Sequence, residues 1–202
     1  MKIICIGRNY VEHIQELGNE IPQAPIIFLK PDTALLRSNA PFYFPDFSKD
    51  IHHEVELIVK ISREAKKIDA AFASKYYTEI GIGIDFTARD LQATAKEKGL
   101  PWDLCKGFNG AAPISDFQPL GDRNIDDLKF HLEINGKIVQ EGHTAHMIHS
   151  TNQMLAYVSN FISLKTGDIV FTGTPSGVGP VKVGDKLKGY LEGELVLDFE
   201  VK

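Results

Sequence analysis

The sequence predicts an α+β fold. Strand-like alternation recurs along much of the chain, and only about three segments carry a helical period. Strands and helices do not alternate regularly, as a doubly wound sheet would require. The 202 residues suit one domain spanning 1–202, with enough chain to bury a sizeable core.

Residues 3 to 6 read as a buried strand that Gly7-Arg8 breaks. A short helix is expected next, with Asn9 as N-cap, Glu12 as its capping-box-like partner and Gly18 as its stop. Residues 19 to 45 are rich in proline and turn formers, around a short strand at Ile26-Ile27-Phe28-Leu29. Residues 53 to 61 alternate: Val55, Leu57, Val59 and Ile61 share one face, and Glu54, Glu56 and Ile58 the other. Residues 77 to 85 form the next strand, where Gly81 and Gly83 allow a close approach. Thr87 can cap the helix that follows, with Asp90 three residues on, and Gly99 and Pro101 stop it. Asn135-Gly136 marks a hairpin between residues 129–134 and 137–140. A longer helix is expected over residues 151 to 163, with Met154, Leu155, Val158, Phe161 and Ile162 as its apolar stripe. Lys165-Thr166-Gly167-Asp168 and Lys182-Val183-Gly184-Asp185 are matching turns, each leading into a strand.

Composition is ordinary for a globular chain, with 43% hydrophobic and 24% charged residues. The net charge of -5 argues against nucleic acid or an anionic membrane as a partner. Cys5 and Cys105 are expected as reduced thiols. The apolar run at residues 3 to 6 is too short for a signal-peptide core or a bilayer span, so a cytoplasmic location is expected.

Glu54 and Glu56 are two apart on a strand and point the same way. Like charges that close disfavour joint ionisation, and a hard divalent cation, which prefers oxygen ligands, removes the conflict. Taken alone, the pattern also suits a solvated edge strand. Asp85 ends the Ile/Gly strand just before a helix; capping is its other duty, and Thr87 is available for that. Three carboxylates leave coordination positions open for water and substrate, the catalytic arrangement for Mg²⁺. His13 and Glu16, at i and i+3, share a helical face, so they are either a carboxylate-oriented general base or a surface pair. Lys106 lies among apolar residues, so it is either partly buried and held by an anion or a surface-loop lysine. Arg89 and Gln92 share a face just past Asp85, within reach of a substrate carboxylate or facing solvent.

The loop Gly173-Thr174-Pro175-Ser176-Gly177-Val178-Gly179 lacks the Gly-Lys-Ser/Thr ending of a phosphate loop. Presenting Thr174 and backbone N–H groups to a carboxylate suits it better. His143, His146 and His149 do not match zinc spacings and are read as non-ligands. His52 shares the glutamate face, where a role behind the metal ligands is open to it.

In this order the motifs resemble the fumarylacetoacetate hydrolase family. The matching stretches are Gly7-Arg8-Asn9-Tyr10 through His13 and Glu16, Phe28-Leu29-Lys30-Pro31, and His53-Glu54-Val55-Glu56-Leu57. Asp85-Phe86-Thr87-Ala88-Arg89-Asp90-Leu91-Gln92, Cys105-Lys106-Gly107-Phe108 and the loop from Thr172 to Gly179 complete them. The compact length is similar to the single-domain acylpyruvate hydrolase and oxaloacetate-processing branch. The resemblance implies a mixed β-sandwich roll, a homodimer, and Mg²⁺ or Mn²⁺ on Glu54, Glu56 and Asp85. It implies His13 and Glu16 as the catalytic pair on a lid segment within residues 1–20, and Lys106 beside the substrate. Arg8, Arg89, Gln92 and Thr174 are implied as substrate contacts. The expected reaction is hydrolysis of the C–C bond of an acylpyruvate through a metal-bound pyruvate enolate. Oxaloacetate decarboxylation or tautomerisation, and 2-hydroxyhepta-2,4-diene-1,7-dioate isomerisation, are the alternatives. A metal-stabilised binding protein is the non-enzyme alternative. His143 and His146 depart from the family pattern.

Overall fold

The computed structural model describes residues 1–16, 18 and 20–202. Its backbone is a six-stranded sheet packed against a four-stranded one, with short helices at the margins. β1 (Ile3–Gly7), β2 (Ile26–Lys30), β3 (Ile51–His53), β4 (Val55–Ile61) and β5 (Tyr77–Ile84) come from the first half of the chain. β6 (Lys129–Ile134), β7 (Lys137–His143), β8 (Ile169–Phe171), β9 (Lys186–Leu191) and β10 (Glu194–Glu200) come from the second. The large sheet runs β2-β1-β8-β4-β5, with Gln118–Pro119 on its edge. Only the β1–β8 pairing within it is parallel. The small sheet runs β7-β6-β9-β10 and lies across β4 and β5. This is the α+β class expected from the sequence.

The interior position of β4, between β8 and β5, decides what its carboxylates can do. Val55, Glu56, Leu57, Ile58 and Val59 are all buried, so neither face of the strand is solvated. The edge-strand explanation of Glu54 and Glu56 therefore fails. Gly83 of β5 lies opposite Glu56. A Cβ there would sit 2.5 Å from the Phe171 ring, so its absence lets β8 and β5 close over β4.

Three local expectations change, and one further element appears. α1 (Val11–Glu16) takes its first turn bond from Ile14 N–H to the Tyr10 carbonyl, while the Asn9 side chain does not cap it. Asn9 Nδ2 donates instead to the carbonyls of His149 and Thr172, and Asn9 Oδ1 accepts from His149 N. α2 (Arg89–Lys98) starts without a side-chain cap because Thr87 is drawn inward to Glu54. α3 (Asp103–Lys106) is a single turn that sequence periodicity could not reveal. α4 (Thr151–Ser159) is shorter than residues 151 to 163, and is started by a Ser150–Gln153 capping box. The Asn135-Gly136 hairpin forms as expected, with both residues at positive φ. Cys5 and Cys105 are buried free thiols. Among the described residues no helix is long and apolar enough to cross a membrane.

Candidate active site

Three chain segments converge under α1. The break between β3 and β4 presents Glu54, β4 presents Glu56, and the end of β5 leads to Asp85. One carboxylate oxygen from each lies within 4.8 Å of the other two, and all three residues are buried. Nine of the ten residues singled out in the sequence line one cleft: Arg8, His13, Glu54, Glu56, Asp85, Arg89, Gln92, Lys106 and Thr174. The tenth, Glu16, reaches it through His13, whose Nδ1 is 3.2 Å from Glu16 Oε2.

Burial of three carboxylates demands compensation. Lys106 Nζ supplies part of it, donating to Glu54 Oε2 at 2.9 Å, Asp85 Oδ2 at 2.7 Å and Thr87 Oγ1 at 2.6 Å. Arg89 donates to Glu54 Oε1 at 2.5 Å and to Gln92 Oε1 at 2.9 Å. Lys30, from β2, places Nζ 2.7 Å from Asp85 Oδ1. Its N–H groups point at the carbonyls of Phe86, Lys106 and Ala111, so the pairing with Asp85 is Coulombic. Asp85 Oδ1 makes no hydrogen bond of good geometry and has the Lys30 ammonium against it.

The three carboxylates consequently differ. Burial disfavours the charge on Glu54, but Lys106, Arg89 and His13 outweigh it and hold the carboxyl well below the usual range. Burial pushes Glu56 well above that range, and the neighbouring Asp85 and Glu54 push it further. A single bond from Gly173 N to Glu56 Oε2, at 2.6 Å, works the other way. Burial also opposes the charge on Lys106, yet Asp85 and Glu54 raise its pKa above the ordinary lysine value. His13 is lowered from the ordinary histidine value, chiefly by burial, despite Glu54 and Glu16.

The donor set fits a hard divalent cation. It is all oxygen, one buried oxygen has no hydrogen bond, and Glu56 lacks a cationic partner of its own. Mg²⁺ and Mn²⁺ both match these ligands.

The loop at Thr172–Gly179 meets the site differently from expectation. Its N–H groups serve the protein's own carboxylates: Gly173 N bonds Glu56, and Gly177 N bonds Glu16 at 3.1 and 3.2 Å. The Thr174 hydroxyl donates to the Val55 carbonyl and accepts from Gln140 Nε2, so it lines the cleft with its hydrogen already engaged. Arg8 reaches the cleft from a left-handed backbone, φ 58°. His52 faces Asp50, at 2.9 Å, rather than the three carboxylates. His143 bonds Asp127 and stacks edge-on with His146, away from the cleft.

Four contributors were not among the residues singled out for the site. Lys30 ends an apolar strand and lies in the family-matching stretch Phe28-Leu29-Lys30-Pro31, but no role was assigned to it. Thr87 was taken for a cap. Gln140, far away in sequence, holds both His53 and Thr174. Lys96 lies seven residues after Arg89 and lines the cleft with Trp102 and Phe28.

Residues 2–200 match the family profile described as "Fumarylacetoacetate (FAA) hydrolase C-terminal". The chain is 40% identical over 203 residues to the mitochondrial oxaloacetate tautomerase FAHD1 of Bos taurus, covering 99% of this chain and 91% of that one. The crystal structure of fumarylpyruvate hydrolase from Pseudomonas aeruginosa, in complex with Mn²⁺ and pyruvate, superposes with a TM-score of 0.94 at 31% identity. It covers 100% of this chain and 89% of that one. For 2-hydroxyhepta-2,4-diene-1,7-dioate isomerase from Mycobacterium marinum the TM-score is 0.86 at 34% identity, with 99% and 73% covered. Profile, full-length identity and superposition agree, and the chain belongs to the fumarylacetoacetate hydrolase family.

Proposed function

We propose that this chain is a divalent-metal-dependent enzyme that moves a proton beside the keto group of a small 2-oxo acid. The observation that carries the reading is a buried Glu54–Glu56–Asp85 cluster facing a neutral His13 in the same cleft. When bound on the three carboxylates, Mg²⁺ or Mn²⁺ supplies Lewis-acid polarisation of the substrate's keto and carboxylate oxygens.

The protein's own residues do the rest. Glu16 accepts from His13 Nδ1, which fixes the tautomer and leaves Nε2 as the basic nitrogen. Burial keeps that nitrogen unprotonated at neutral pH, ready to take a proton from carbon or from water. Lys106 stays an ammonium and stabilises negative charge developing on the keto oxygen. Arg8, Arg89, Gln92 and the backbone at Thr174 orient the substrate carboxylate. α1 closes the cleft, anchored through Glu16 to Gly177 N.

Two reactions can use this base, one taking a proton from carbon and the other from water. Keto–enol interconversion of oxaloacetate is supported by 40% identity to an oxaloacetate tautomerase, against 31% to fumarylpyruvate hydrolase. Hydrolysis of an acylpyruvate C–C bond is supported by the close superposition on that hydrolase with Mn²⁺ and pyruvate. In hydrolysis His13 activates water against the distal carbonyl. We place interconversion first; decarboxylation, in which keto oxaloacetate breaks its C3–C4 bond, releases CO2 and leaves the pyruvate enolate, is a further outcome open to the same bound 2-oxo acid. The protein is proposed to work as a homodimer in the cytoplasm. A panel of acetylpyruvate, fumarylpyruvate and oxaloacetate with Mg²⁺, followed by NMR, separates exchange from bond cleavage. Metal-dependent exchange or cleavage of at least one substrate is expected; inertness towards all three contradicts the proposal.

A further inference from the structure

Gln140 belongs to β7, the edge strand of the small sheet, and its side chain is buried. Four hydrogen bonds fill its amide. Oε1 accepts from Val55 N at 3.0 Å and from His53 Nδ1 at 2.9 Å. Nε2 donates to Thr174 Oγ1 and to the Pro175 carbonyl, both at 2.9 Å. Both lone pairs and both N–H groups are used. Among the described residues, Gln140 is the only side chain of the small sheet that hydrogen-bonds the β3–β4 break or the loop at Thr172–Gly179.

The direction of each bond follows from the partners. Val55 N–H can only donate and the Pro175 carbonyl can only accept, so Oε1 faces the first and Nε2 the second. His53 Nδ1 therefore carries the ring proton. Thr174 Oγ1 accepts from Nε2, and its own hydrogen goes to the Val55 carbonyl at 2.8 Å. Val55, Gln140 and Thr174 thus close a ring of three hydrogen bonds. The ring leaves the Thr174 hydroxyl no proton to offer a substrate carboxylate. Val55 stands between Glu54 and Glu56 in the chain. The same loop holds Glu56 through Gly173 N. The ring therefore fixes the backbone that bears two of the three clustered carboxylates against the loop that steadies one of them.

We infer that Gln140 is a positioning residue. Through its ring with Val55 and Thr174 it sets Glu54 and Glu56 for the metal, and the Thr174 hydroxyl acts through that ring instead of touching the substrate. This rests on the proposed metal-dependent chemistry and names a residue on which it depends without contact. Members of a buried, fully satisfied network act as a unit. Removing a partner behind the metal ligands costs about 10–100-fold in metal affinity or activity.

The test is calorimetric titration with Mn²⁺ before any substrate is added. It compares wild type, Gln140→Met, Thr174→Val, Thr174→Ser and the double variant Gln140→Met with Thr174→Val. Gln140→Met and Thr174→Val are each expected to weaken Mn²⁺ binding about tenfold or more. The double variant should bind no more weakly than Gln140→Met alone, and Thr174→Ser, which keeps the hydroxyl, should bind nearly as wild type. Unchanged Mn²⁺ affinity in Thr174→Val overturns the inference, because a hydroxyl that meets only the substrate leaves metal binding untouched. A Gln140→Met protein that is less stable to denaturant but binds Mn²⁺ as wild type does also overturns it, since the role is then structural only. Losses that multiply in the double variant, or a Thr174→Ser protein as weak as Thr174→Val, overturn the ring. If Gln140→Met does not fold, Thr174→Val against Thr174→Ser decides. None of these readouts uses turnover. If wild type binds Mn²⁺ yet turns over none of the substrate panel, the proposed reaction fails and the ring is still judged.

Discussion

Lys30 Nζ lies 2.7 Å from Asp85 Oδ1, and both side chains are almost completely buried. The lysine also joins three carbonyls, those of Phe86, Lys106 and Ala111, so one ammonium ties β2 to the segments that carry Asp85 and Lys106. Removing one partner of a buried pair leaves the other uncompensated, at about 3–5 kcal/mol. Lys30→Met is therefore expected to cost roughly that much stability in denaturant unfolding, and to weaken Mn²⁺ binding in whatever protein still folds. A cost within the error of the method would show that the pair contributes little.

Glu56 is the carboxylate without a cationic partner. Its pKa is raised, so the folded state without metal holds a proton that the unfolded chain releases. Stability from this group is present below the ordinary carboxylate range and is lost as pH rises towards the raised value. Glu56→Gln is expected to stabilise the metal-free protein at neutral pH and to weaken Mn²⁺ binding. Metal uptake by wild type below the raised value should release a proton, seen as a buffer-dependent enthalpy in calorimetry. A metal-free Glu56→Gln protein less stable than wild type would contradict this account.

His13 gives the acid limb of the activity profile. Its pKa is lowered, so kcat/KM is expected to fall on acidification with a midpoint below the ordinary value of about 6.5. Glu16 raises the His13 pKa, so Glu16→Gln should shift that midpoint further towards acid. His13→Ala should cost about 10²–10⁴ in kcat/KM for interconversion and hydrolysis, and less for decarboxylation, which needs no base to form the enolate. A pH profile unchanged by Glu16→Gln would remove Glu16 from this role.

Gly173 holds the loop against the site. Its φ is +105°, and a Cβ there would sit 2.6 Å from Asn9 Cβ. Its N–H is the backbone donor to Glu56. Gly173→Ala is expected to cost about 1–3 kcal/mol in stability and to weaken Mn²⁺ binding with it. Stability and metal affinity equal to wild type would show that the loop yields freely.

The strands carrying the acidic residues were legible because alternation has a fixed period of two, and β4 and β5 keep it. Helix ends were less legible. Asn9 and Thr87 have capping chemistry, but tertiary partners claim them: His149 and Thr172 for one, Glu54 for the other. The cluster itself was legible as Glu54, Glu56 and Asp85 because two short strand motifs carry it. Lys30 and Gln140 were not, because what makes them matter is contact with residues 55 and 34 positions away. Lys96 was within reach of the helical period from Arg89, but nothing in its neighbouring sequence marks it apart from the other lysine of that helix end, Lys98.

Calorimetric titration of the metal-stripped protein with Mn²⁺, and then with oxalate as a 2-oxo acid mimic, tests the central claim most directly. One Mn²⁺ per chain is expected, with oxalate binding only once the metal is present and both events weakened in Glu56→Gln. Equal binding of oxalate with and without Mn²⁺, or Mn²⁺ binding indifferent to Glu56→Gln, would contradict a metal centre at Glu54, Glu56 and Asp85.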